Sequence, residues 1–107
     1  MNLIERLEAA AEGSRPLDRD IFLATTPDWL DRGIELSDAT IPPYTTSLDA
    51  ALTLVPEGNW QWQIRQDPSC YRAAIVGGQF PDLVIHRGQA QIPALALCAA
   101  ALKARSA

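Results

Sequence analysis

Tyr44-Thr-Thr-Ser-Leu-Asp-Ala-Ala-Leu-Thr-Leu-Val-Pro-Glu-Gly-Asn-Trp-Gln-Trp-Gln-Ile-Arg65 is the stretch whose reading decides the fold. Leu48, Ala51, Leu52 and Val55 recur at i, i+3, i+4 and i+7, the spacing of one helix face. Thr46 is the expected N-cap, and Asp49 completes a weak capping box with it. Pro56, Glu57 and Gly58 break the helix. The period then changes. Trp60, Trp62 and Ile64 alternate with Gln61, Gln63 and Arg65, as in a strand with one face buried.

Downstream, Asp67-Pro68-Ser69 is a turn signal, with Pro68 presetting its own φ. A second strand is expected over residues 70–76. Gly77-Gly78-Gln79-Phe80-Pro81 turns the chain again, and residues 82–87 make a third strand. Links this short favour an antiparallel meander. Pro93 then opens a last helix whose stripe is Leu95, Cys98, Ala99 and Leu102, with Lys103 and Arg105 at its C-terminal end.

Upstream, Leu3, Ile4, Leu7, Ala10 and Ala11 define a helix over residues 2–12, capped by Asn2 and stopped by Gly13. Ser14 caps a second helix, with Pro16 in its first turn, and Thr26-Pro27 ends it. Residues 27–43 have mixed spacing and read as a loop with one short helical turn. The expected fold is therefore one α+β domain over residues 1–107, in the order α-α-α-β-β-β-α. Amphipathic helices pack on a three-stranded antiparallel sheet through Trp60, Trp62, Ile64, Tyr71, Ile75, Leu83 and Ile85.

Length and composition suit one modest core: 107 residues, 48% apolar and 21% charged. No apolar run reaches the roughly 18 residues that span a bilayer. The charged, amphipathic N-terminus lacks the pattern of a signal peptide, so a bacterial cytoplasm is expected. Two free thiols, Cys70 and Cys98, fit that compartment better than a disulfide. One histidine and no Cys-x-x-Cys argue against a structural metal, and no cofactor is implied.

Residues 1–58 carry eleven acids and four arginines, a net −7; residues 59–107 carry two acids and five bases, a net +3. An acidic chain has no general attraction for nucleic acid.

Catalytic signals are thin. There is no Gly-x-Ser-x-Gly elbow, and Gly77-Gly78 lacks the lysine and helix start of a phosphate-binding loop. A Cys70–His86 pair on adjacent strands is conceivable, but no orienting acid accompanies it, and a structural cysteine is the better reading. Two groups remain as candidate binding residues. Gln61, Gln63, Arg65, Arg72 and His86 gather on the expected polar sheet face, where arginine and glutamine can hold a carboxylate, a phosphate or a protein loop. Asp28, Asp31, Glu35 and Asp38 would share a face if their segment were helical, offering an acidic docking surface. A solvated loop is the plainer reading of those four, and a wet sheet face of the first five.

The element order, the 44–54 segment, the Pro-Glu-Gly-x-Trp junction at 56–60 and the closing Pro93-Ala-Leu-Ala-Leu-Cys-Ala-Ala-Ala-Leu-Lys103 resemble the phage ABA-sandwich domain family and the related NinX-like phage proteins. The resemblance covers most of the chain and is weakest at 26–42. It implies a phage or prophage gene and an α-β-α sandwich, and it carries no catalytic motif. One departure stands out: a sheet covered on both faces should be apolar nearly throughout. Gln61, Gln63 and Arg65 make the first strand an edge strand or leave one sheet face open.

The expected function is a non-catalytic phage accessory protein that binds another protein, with a host enzyme or defence complex as candidate target. The alternative is a small-ligand or nucleotide-binding domain using the polar sheet face.

Overall fold

Four helices and a three-stranded antiparallel sheet follow one another as α1 (Leu3–Ala9), α2 (Arg15–Thr25), α3 (Leu48–Leu52), β1 (Gln61–Gln66), β2 (Tyr71–Gly77), β3 (Val84–Ala90) and α4 (Pro93–Ser106). The structure is a computed structural model that describes residues 2–34, 37, 40–55, 60–77 and 83–106. The expected break at 56–58 and most of the turn at 77–81 lie outside those residues.

The helix starts follow capping chemistry. Asn2 accepts from the Glu5 N–H and Ser14 from the Leu17 N–H, each satisfying a donor that the first turn leaves unpaired. α1 ends sooner than expected, with Ala10 already extended, well short of Gly13. α3 is capped by Ser47 instead of Thr46: the Ser47 hydroxyl accepts from Ala50 N at 3.3 Å. The reason lies in Thr45. Its N–H and hydroxyl are both held by the buried Asp18, so residues 44–46 form a turn and the helix starts after it. Thr53, Leu54 and Val55 then bond three residues back, tightening the last turn.

The 27–43 segment contains the one helical turn expected of it. Gly33 N–H reaches Leu30 O at 3.1 Å and Ile34 N–H reaches Trp29 O at 3.0 Å, with Gly33 at φ +70°. This is a Schellman stop, in which a left-handed glycine ends the turn. Trp29 and Ile34, the two residues joined by its longer bond, both pack against the core.

The sheet order is β1-β2-β3. β1 opposes β2 with Trp62 at Ile75 and Ile64 at Ala73; β2 opposes β3 with Ile75 at His86 and Ala73 at Gly88. Opposed residues share a face. One face therefore carries Trp60, Trp62, Ile64, Tyr71, Ala73, Ile75, His86, Gly88 and Ala90, and α4 lies against its β2 and β3 part. Residues 94–102 and 104 of α4 are all buried. Gly88 admits the close approach, because a Cβ there would sit 2.5 Å from Ala96 O and 2.7 Å from Ala100 N.

Two of the expected core residues move, and a third is more exposed than expected. Leu83 precedes β3 and is exposed, while Ile85 belongs to the opposite face and is 50% exposed. The second hairpin pairs even residues of β3 with odd residues of β2, which reverses the parity expected for the third strand. Trp62 has the expected facing but remains 45% exposed, since α4 covers β2 and β3 and does not extend over β1. The other sheet face is open, and β1 is an edge strand; the polar residues of β1 are accounted for by both.

Candidate functional site

Three rows of side chains cross the open face. Gln61, Val76 and Ile85 form the first, Gln63, Ala74 and Arg87 the second, and Arg65, Arg72 and Gln89 the third. Strand alternation places Gln61, Gln63, Arg65 and Arg72 together there, as the sequence suggested. Arg87 and Gln89 join them, a gain hidden until the second hairpin's register is known.

His86 does not belong to this group. It lies on the helix side opposite Ile75, with its ring centroid 5.9 Å from that of Trp60. Its Nε2 is buried and has no hydrogen-bond partner among the described residues.

Ala74 is the small residue in the middle of the face. Around it lies a hollow of about 560 Å³ lined by Gln63, Arg65, Arg72, Arg87 and Gln89, with Glu8 and Lys103 at its rim. The rim is internally matched. Glu8 Oε2 accepts from Lys103 Nζ at 3.2 Å and from Gln89 N at 3.1 Å, and Lys103 Nζ also donates to Arg87 O at 2.7 Å.

The three arginines are less completely matched. Arg72 pairs with Asp67. Arg65, directly opposite Arg72, has no ion-pair partner among the described residues, and neither does Arg87. Like charges opposed across strands destabilise a sheet. The hollow is thus a positive concavity on a chain of net charge −4. Its guanidinium forks and glutamine amides can hold a carboxylate or phosphate by paired N–H bonds.

Two of the four acidic candidates belong to the described residues. Asp28 and Asp31 are exposed on the helical turn. That turn ends at Gly33, and Glu35 and Asp38 lie outside the described residues.

The two thiols differ in burial. Cys98 is fully buried and donates to Tyr44 O at 3.2 Å; burial pushes its pKa up to about 12, with the nearby Asp18 adding to the rise. A thiol so held is not a nucleophile at neutral pH. Cys70 cannot meet His86, which is paired with Ile75 further along β2. The turn was expected near Gly78–Gln79, but the pairing centres between residues 80 and 81, and this separates the two.

Among the described residues no three His, Cys, Asp or Glu side chains converge on a metal-sized space, and no helix is long and apolar enough to cross a membrane. Compared with protein-family models, curated proteins and solved structures, the chain matches none significantly.

Proposed function

We propose that the protein is a non-catalytic binding module whose open sheet face receives an acidic segment of a partner protein. One observation carries the reading: Arg65, Arg72 and Arg87 surround the Ala74 floor, with Arg65 and Arg72 directly opposed. An anion seated there relieves the repulsion that the folded sheet otherwise bears.

The openness of the face favours a macromolecule. Gln61, Gln63, Arg65, Arg72, Ile85, Arg87 and Gln89 are all exposed. A small ligand needs walls that bury most of its surface, whereas a protein segment brings its own cover. Ile85 adds an apolar contact beside the charged rows, as interfaces usually have. The phage or prophage origin, the bacterial cytoplasm and the candidate target, a host enzyme or defence complex, enter this reading through the resemblance described above.

The test is a pull-down from host lysate with the wild-type chain and with Arg65→Glu/Arg87→Glu. The expected result is a partner captured by the wild type and lost with the double variant, together with an infection phenotype that follows the same pattern. Equal capture by both proteins, or no partner and no phenotype, overturns the reading.

The hollow itself supports a second reading, a small-ligand or nucleotide site, because about 560 Å³ falls within the range of such pockets. Thermal-shift screening with mononucleotides separates the two. Stabilisation that Arg72→Ala abolishes favours the small ligand.

A further inference from the structure

The two edges of the sheet are treated differently. At the β3 edge, Gln89 N donates to Glu8 and Arg87 O accepts from Lys103, so side chains from α1 and α4 satisfy the strand's outward groups. Those two bonds also fix which backbone groups point where. Odd residues of β3 face outward, so its even residues bond to the odd residues of β2. The even residues of β2 then bond to Gln61, Gln63 and Arg65. The Asp67 N–H to Cys70 O bond, 2.8 Å in the first hairpin, fits the same alternation. It follows that Trp62, Ile64 and Gln66 turn their N–H and C=O groups to the outer edge of β1. Among the described residues no strand pairs with that edge.

Sheets usually protect such an edge with lysine, proline, a bulge or a covering element. Gln61–Gln66 contains no lysine or proline, no element among the described residues pairs with its outer edge, and Arg65 is the strand's one charge. The strand is instead complementary to itself about Gln63. Laid antiparallel on a second copy across a two-fold axis at Gln63, Trp62 comes opposite Ile64 of the second copy, and Ile64 opposite its Trp62. All four lie on the helix-side face, along the strand that α4 does not cover. On the other face Gln61 meets Arg65 of the second copy, so the two Arg65 guanidiniums are not opposed. The residues brought opposite at Trp62 and Ile64 are those whose backbone groups have no strand partner among the described residues. The exposure of Trp62 acquires a reason, since an aromatic residue facing a β-branched one is a favourable cross-strand pair.

We infer that the protein forms a two-fold dimer by antiparallel pairing of β1 with β1 of a second copy, joining the two sheets into one of six strands. The interface is isologous, so a single substitution acts twice. The inference is independent of the anion-binding reading, because it rests on the edge and the helix-side face.

Sedimentation of the full chain tests it, together with cysteine cross-linking. The wild type is expected to sediment at twice the 11.7 kDa chain mass. Trp62→Lys, which places a charge in the pairing zone, should sediment as a monomer with an unchanged far-ultraviolet circular dichroism spectrum. Gln63→Cys should form a 63–63 disulfide dimer under mild oxidation, identified by peptide mapping, and Gln61→Cys should not. The cross-link needs no tryptophan substitution, so it stands even if Trp62→Lys misfolds. A wild-type monomer at high micromolar concentration overturns the proposal. So does a dimer that Trp62→Lys leaves intact, or equal cross-linking through positions 61 and 63.

Discussion

Asp18 Oδ1 accepts from both the backbone N–H and the hydroxyl of Thr45, each at 2.7 Å, and both residues are fully buried. Asp18 Oδ2 meets Arg15 at 2.9 Å, and Ser14 N–H donates to the Thr45 hydroxyl at 2.9 Å. This knot ties the start of α2 to the turn before α3. Asp18→Ala leaves the buried Thr45 N–H without its acceptor, at about 1–3 kcal/mol, while the Thr45 hydroxyl can turn to Ser14 O at 3.1 Å. Urea denaturation should show a loss near the upper part of that range. Thr45→Val should cost less, because the Thr45 N–H keeps its acceptor.

Gly88→Ala should destabilise the protein by about 1–3 kcal/mol, the usual penalty for overpacking. The added methyl meets Ala96 O and Ala100 N, which are helix backbone and cannot swing aside. At Gly33 the space is open, but φ is +70°, so Gly33→Ala should cost about 1–2 kcal/mol through conformation alone. A crystal structure of each variant distinguishes the causes: α4 displaced in the first, the 30–34 turn altered in the second.

Thiol accessibility gives a third check. In the folded protein an aromatic disulfide reagent should titrate Cys70 promptly and leave Cys98 untouched; in urea both should react. The raised pKa of Cys98 also sets a pH dependence. Between the ordinary thiol value of 9.0 and about 12 the unfolded chain releases a proton that the folded chain retains. Stability contributed by the buried neutral thiol is therefore complete below pH 9 and declines as pH rises toward 12. Burial shifts Tyr44 in the same direction, reinforcing the decline. Cys98→Ala should flatten the thiol part of the slope.

Asp67 competes with any anion for Arg72. Asp67→Asn should strengthen binding of an acidic peptide by about two- to fivefold, because an exposed ion pair contributes roughly 0–1 kcal/mol. Arg87→Glu should weaken it by tenfold or more, through loss of a charged hydrogen-bond donor worth about 1.5–3 kcal/mol. Added salt should reduce the affinity of the wild type more than that of Arg87→Glu. Isothermal titration at two ionic strengths reads all three.

Local chemistry made much of this fold legible. Asn2, Ser14 and Pro93 mark helix starts because their side chains act within one turn. The alternation from Trp60 to Arg65 marks a strand because both of its periods are local. The third strand was harder. Gly88 carries the strand past residue 87, and it is small because α4 presses on it, a fact held in residues 96–100. His86 was assigned to the polar face because its side depends on the register of the second hairpin, which neighbouring residues do not specify. The partner that buries Asp18 lies 27 residues away, beyond the reach of any local pattern. Arg87 and Gln89 escaped notice for the same reason as His86.

α4 meets β3 at Gly88 through the backbone of Ala96 and Ala100 and the methyl group of Ala99. Layers joined in this way lie nearly backbone to backbone at that point, with no room between them for a larger side chain. Sequence drift in such a protein has two regimes. The open face can exchange residues freely and acquire new specificity, while α4 can change size only in concert with the glycine beneath it. Laboratory evolution toward new binding should therefore accumulate its substitutions on the odd positions of β1 and β3 and leave the alanine run almost untouched.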